Sequence, residues 1–284
     1  MPDPKGIRRM ARSLYGVRSA LVSLEAVAGH RHLLKQMVKR DLTARFAGTS
    51  VGALWSLIHP LILLGLYTFV FSYVYRVRLA TADGVGFIPF VFCGLWPWMA
   101  FQEACLRSVT VIVDNGHLVK RVRFPSELLV ISVIASSFVS QGVGFALLVL
   151  GLGIWQGGLS AAALVLLVVP FGLLLALAIA LGLLLCTANV FVRDVSQVAG
   201  AAFTIWFFLT PVLYPASMVP GPLRAVLAWN PLTGILDLYR GLLLAQGAGP
   251  EWRGALYPLG VAAVLLYVAQ RVFEKSKGYF ADYL

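Results

Sequence analysis

The chain has 284 residues, 60% of them hydrophobic and only 12% charged, where a soluble domain carries about a quarter charged residues. Its mean hydropathy is +0.85, which excludes a water-soluble enzyme or binding module and points to an all-α polytopic membrane protein. The net charge of +11 is no sign of nucleic acid, because the cations sit at the ends of apolar stretches, where they orient membrane proteins.

Residues 1–29 carry Lys5, Arg8, Arg9, Arg12 and Arg18 and read as a polar N-terminal arm, with no cleavable signal peptide visible. From 30 to 46 the apolar residues Leu33, Leu34, Met37, Val38, Leu42 and Phe46 recur at spacings of three and four. That spacing predicts a helix with one apolar face, and His32, Lys35, Gln36, Lys39, Arg40 and Thr43 fall on the other. A basic amphipathic helix of this kind lies in a membrane interface, its cations among anionic headgroups. The stretch 51–75 then runs without a formal charge, and roughly 20 such residues cross a bilayer. Pro60 within it predicts a kink or an entry turn.

Further spans are expected at about 87–113, 128–155, 159–187, 196–214 and 255–273, six in all. Trp96 and Trp98 in the second fit either an interfacial aromatic belt or the lining of a route. Glu103 is the one acid read as submerged in a span, and its i,i+4 spacing to Arg107 predicts a local ion pair. In the third span Ser136, Ser137, Ser140, Gln141 and Gly142 read as a helix–helix contact surface. Residues 215–250 hold five prolines and apolar pieces too short to cross, which read as re-entrant or interfacial half-helices. The tail 276–284 follows the last span. With both termini inside, eighteen Lys and Arg fall on the inner side and five on the outer, a strong positive-inside bias.

Chemistry at depth is absent from the pattern. The four histidines have no metal-ligand spacing, and Cys93, Cys105 and Cys186 lie far apart in apolar surroundings. The dipeptide Gly-Lys does not occur, so no phosphate-cradling P-loop is present. No catalytic residue, metal or cofactor is expected in this chain.

Several stretches resemble one family. Arg40-Asp41-Leu42-Thr43-Ala44-Arg45-Phe46, with Gly52-Ala53-Leu54-Trp55 and Pro60-Leu61, resembles the entry motif of type-2 ABC exporter permeases. The likeness is closest to membrane subunits that export O-antigen, capsular polysaccharide and teichoic acid. Arg123-Phe124-Pro125, Phe191-Val192-Arg193-Asp194-Val195, Thr210-Pro211 to Tyr214-Pro215, Asn230-Pro231 and Tyr239-Arg240 agree in order. The resemblance covers about 30–275 and makes it one transmembrane domain.

What the resemblance implies is a permease of a lipid-linked polysaccharide in the bacterial inner membrane. It would pair with a second copy and with two cytoplasmic P-loop ATPase subunits that hold ATP and Mg. An exporter of another amphipathic cargo (a drug, lipid or haem) is the alternative. An intramembrane transferase and an ion-driven carrier lack the acids they need. The loop 115–125 would be the coupling helix, with Leu118, Lys120, Arg121, Arg123, Phe124 and Pro125 docking on the ATPase, unless its cations serve orientation alone. Arg193 and Asp194 would form a second, smaller contact or a structural pair at the same face, and Lys39, Arg40, Asp41 and Arg45 belong to the family's interface helix. Sugar rings stack on aromatics, so Trp55, Tyr67, Phe71, Trp96, Trp98, Trp206, Phe207 and Tyr214 are candidates for the glycan path.

Overall fold

A computed structural model describes residues 29–48, 52–76, 86–121, 124–244 and 250–284. Positions 1–28, Arg78, Asp83, Val122 and Arg123 lie outside the described residues, so the arm, part of the polar loop 76–83 and one of the expected coupling cations are not placed. All regular structure among the described residues is helical.

Helix α1 (Arg31–Phe46) precedes α2, which runs as Trp55–Thr68 and then widens over Phe69–Val74. The widening is marked by an i→i−5 bond from the Tyr75 N–H to the Val70 carbonyl. Next come α3 (Phe87–Val109), the short α4 (Gly116–Arg121), α5 (Glu127–Trp155) and α6 (Ala161–Phe191). The last four are α7 (Val195–Phe208), α8 (Gly221–Ala228), α9 (Pro231–Leu243) and α10 (Arg253–Ser276).

Among the described residues, four helices are long and apolar enough to cross a membrane: α2 at Trp55–Val74, α5, α6, and α10 with its continuation to Tyr283. Helix α7 is apolar but shorter. It stops at Phe208 because Pro211 disfavours helix in the residue before it.

Helix α3 is the axis of the bundle. Every residue from Pro89 to Phe101 is buried, and α2, α5, α6, α7 and α9 all pack on it. A helix wrapped by protein has no need of a lipid-facing aliphatic coat, which is why Trp96, Trp98, Gln102 and Glu103 are tolerated there. Both indoles are 2% exposed and donate inward, Trp96 to the Gln141 carbonyl at 2.9 Å and Trp98 to Gln102 Oε1 at 2.9 Å. Neither indole reaches the surface of the protomer, so neither stands in an interfacial belt.

Close approach of helices needs glycine at several points, Gly182 and Gly144 among them. A Cβ on Gly182 of α6 would lie 2.8 Å from both Ile134 and the Ser108 hydroxyl, and one on Gly144 of α5 would run into the Trp96 ring.

Candidate functional site

The chemistry-bearing residues gather at the two ends of the bundle. At the end that carries α1 and α4, which we call the basic end, α1 lies along α5. Its half-buried positions are Leu33, Leu34, Met37, Val38, Asp41, Leu42 and Arg45, while Lys35, Lys39 and Arg40 are exposed. The apolar stripe is the one its spacing predicts. Unpredicted is the presence of Asp41 and Arg45 on the inward face.

These two charges meet α3. The Arg107 guanidinium donates from one nitrogen to both Asp41 oxygens, at 3.0 and 2.9 Å, and from the other to the Ser137 and Ser136 hydroxyls, at 3.1 and 3.3 Å. Arg45 pairs with Glu103, whose second oxygen accepts from Gln141 Nε2 at 2.6 Å. Ser136 also donates to Asp41. The expected local pair between Glu103 and Arg107 is therefore not formed. Each residue reaches across to α1 instead, because the Ser and Gln side chains of α5 supply further hydrogen bonds to that arrangement. The run Ser136–Gln141 is a helix contact surface, made by hydrogen bonds as well as small size.

Past this node the chain turns at Val111–Asp114 and forms α4. Asn115 holds the turn, donating from Nδ2 to the Val111 carbonyl at 2.9 Å and accepting from the Leu118 N–H at 2.9 Å. Leu118 is half-buried, Val119 and Phe124 pack against the core, Pro125 is half-buried, and Lys120 is exposed. Arg193 and Asp194 are both exposed at the bend between α6 and α7, and no ion pair joins them among the described residues.

The C-terminal residues, read from the sequence as a tail, pack against this same surface. Phe280 is fully buried against Phe273 and Phe191, Tyr283 meets Phe191 edge-on at 4.9 Å, and the Leu284 side chain covers Gly116. Lys277 reaches Glu127 at 3.0 Å. Tyr279, Phe280 and Tyr283 follow Lys277 without a regular period, so the sequence carried no readable signal for this packing.

At the opposite end, three of the motifs knit together. Asn230 caps α9, its Oδ1 accepting from the Leu232 N–H at 3.1 Å and from the Trp206 indole at 3.2 Å. Its Nδ2 donates to Thr210 Oγ1 at 2.8 Å. The buried Arg240 guanidinium donates to the Pro211 and Val212 carbonyls at 2.6 and 3.1 Å and lies 3.8 Å over the Phe90 ring. Asp237 pairs with it at 3.4 Å.

Between the two ends lies an aromatic cluster. Trp98, Phe101, Phe203, Trp206 and Phe207 contact one another, with Tyr67 of α2 stacked on Phe207 at 6.0 Å. Phe71 stacks on Phe87 at 5.9 Å, and the Tyr214 hydroxyl donates to the Phe208 carbonyl at 2.6 Å. Of the eight aromatic path candidates, Trp96, Trp98 and Phe207 are buried in the protomer; Tyr67, Phe71, Trp206 and Tyr214 are half-buried; Trp55 is exposed. The exposed face of α2 carries Trp55, His59, Ile62, Leu66, Phe69 and Tyr73, again at spacings of three and four. Only 6% of the apolar window of α2 is buried in the protomer. No group of three His, Cys, Asp or Glu suited to a metal occurs among the described residues.

The ABC-2 type transporter family matches residues 32–244. The chain is 29% identical over 276 residues to the O-antigen export system permease protein RfbA of Myxococcus xanthus, covering 96% of this chain and 98% of that one. It is 26% identical to the protein of the same name from Klebsiella pneumoniae, over 89% of this chain and 95% of the relative. The polysialic acid transport protein KpsM of Escherichia coli is 24% identical over 71% of this chain and 77% of its own.

Proposed function

This chain belongs to the ABC-2 type transporter family of membrane permeases, and on that footing we propose that it is the transmembrane subunit of an ATP-driven polysaccharide exporter. The cargo is a lipid-linked glycan of O-antigen or capsule type, moved outward across the bacterial inner membrane. The observation that carries this reading is the end-to-end similarity to a permease named for O-antigen export.

The working unit is two copies of the chain with two cytoplasmic ATPase subunits that bind ATP and Mg. Helix α2 supports the pairing. A nearly bare apolar helix that also presents His59 is costly against lipid alone, since polar side chains at depth favour a protein or aqueous neighbour. A second copy seated on that face gives His59 such a neighbour. The glycan route then runs beside α2, with Trp55, Tyr67, Phe71, Trp206 and Tyr214 as its stacking surfaces. Helices α2, α3, α5, α6, α7 and α10 are the six spans, and α8 and α9 are the short outer half-helices. Both termini are cytoplasmic, in keeping with the eighteen-to-five distribution of cations.

Coupling passes through the basic end. Helix α4 presents Lys120, with Arg121 and Arg123 beside it in sequence, to acidic groups of the ATPase, while Leu118 and Phe124 meet its apolar groove. Arg193 and Asp194 add a smaller contact, and Lys39 and Arg40 lie on the same side. Changing Lys120, Arg121 and Arg123 together to Glu is expected to abolish co-purification with the ATPase and the lipid-stimulated ATP hydrolysis of the complex. Retention of both would overturn the docking assignment. Absence of any ATPase partner for the unaltered chain would overturn the exporter reading.

A further inference from the structure

The four charges of the node have a property that a static bolt does not need. On α1, Asp41 and Arg45 are four residues apart; on α3, Glu103 and Arg107 are four residues apart. The pairs Asp41–Arg107 and Arg45–Glu103 run in reversed order, so the two helices are antiparallel where they meet. Each helix therefore carries one negative and one positive charge one turn apart, at the spacing that forms an ion pair within a helix. Every charge has two opposite-signed partners in reach: one across the interface and one on its own helix.

We propose that this quartet is an exchangeable clutch, in which α1 leaves and rejoins the bundle during the transport cycle by swapping inter-helix ion pairs for intra-helix ones. In the observed, engaged state Arg107 holds Asp41 and Arg45 holds Glu103. In the released state Asp41 pairs with Arg45 and Glu103 with Arg107, so neither helix carries an unpaired charge into a low-dielectric region, where isolated ions are most costly. Ser136, Ser137 and Gln141 favour the engaged state through four hydrogen bonds that α5 gives or receives. The side chains of the two pairs are between 20% and 31% exposed, so they can exchange without the bundle opening. Asp41, Arg45, Glu103 and Arg107 are then positioning residues for transport. The inference rests on the exporter reading above, because it assigns the motion to the cycle that moves cargo.

Two charge swaps separate a clutch from a bolt. Asp41→Arg with Arg107→Asp keeps both cross-helix pairs but places like charges four apart on each helix, so the engaged state survives and the released state is penalised. Adding Arg45→Glu and Glu103→Arg restores opposite charges along each helix as well as across them. The double variant is expected to assemble with the ATPase at the unaltered level yet export about tenfold less or worse, a coupling loss of ordinary size. The fourfold variant is expected to recover. Export by the double variant at the unaltered rate would overturn the clutch and leave a bolt, as would failure of the fourfold variant to export better than the double. Should the double variant fail to accumulate, a single substitution tests the motion directly. Met37→Cys, packed inward on α1, must change its thiol labelling rate between the nucleotide-free and the vanadate-trapped complex. An identical rate in both states overturns the proposal. If the unaltered complex hydrolyses ATP but exports no glycan, the cargo assignment fails while the labelling result still stands.

Discussion

Arg240 is where a single side chain decides the most. Its guanidinium closes two backbone carbonyls at the turn after α7 and lies on an aromatic face, a set of contacts that needs a planar fork. Gly94 is the cavity wall that admits it: a Cβ there would stand 2.7 Å from the guanidinium and 3.1 Å from the Val212 carbonyl. Gly94→Ala is therefore expected to lower stability by about 1–3 kcal/mol, the usual range for overpacking. Arg240→Lys is expected to lose a similar amount, about 1–3 kcal/mol, because a buried carbonyl is left unpaired. Gly142→Ala, with open space around its Cβ, is the matched control. Thermal unfolding of the purified protein in detergent measures all three, and a Gly94→Ala midpoint equal to that of the control would refute the packing argument. Tyr239-Arg240 was legible in the sequence as a motif, but its job was not. Nothing local links position 240 to the carbonyls of 211 and 212, which it meets only after α7 and α9 have packed.

At the scale of elements, periodicity served where one face meets apolar surroundings and failed where partners are far apart in sequence. The stripe of α1 follows from spacing alone. The pairing of Glu103 does not, because Arg107 and Arg45 both suit it, and the choice is made by hydroxyl and amide groups on α5. The fifth span looked longer than α7 is, since hydropathy continues through residues that Pro211 forbids to stay helical. Helix α2 gives the testable case. If a second copy seats on its outer stripe, Phe69→Cys on each chain lies near a symmetry mate, and mild oxidation is expected to yield a covalent dimer. Val264→Cys on α10, comparably exposed at 63% against 58%, is expected to stay monomeric under the same treatment. The native cysteines are all buried and do not interfere. Failure of cysteines at 62, 66 and 69 to cross-link, in a complex that still holds its ATPase, would place the pairing face elsewhere.

Across the whole molecule the two ends are built differently. The basic end is held by ion pairs that are partly exposed and by an aromatic clasp from residues 280–284. The other end is held by a buried guanidinium and a capped helix. The first arrangement tolerates rearrangement and the second resists it. The helical class was legible from composition and pattern. The folding back of the C-terminal residues onto α4 was not, because a few apolar residues after a charged helix end carry no period long enough to read.

The burial of α3 has a consequence for how the protein is made. A segment with Glu103 and Arg107 in its last two turns is a poor substrate for lateral release from a translocon, since charges within a span oppose insertion into lipid. Its favourable surroundings exist only once α5 and α6 are present to enclose it. On the six-span reading proposed above, α3 is the second crossing and is completed only after later ones have been synthesised. In a glycosylation-mapping assay, nascent chains ending near residue 125 should leave α3 uninserted in a large fraction of molecules, and chains extended past residue 195 should not. Equal insertion at both lengths would mean that α3 enters unaided.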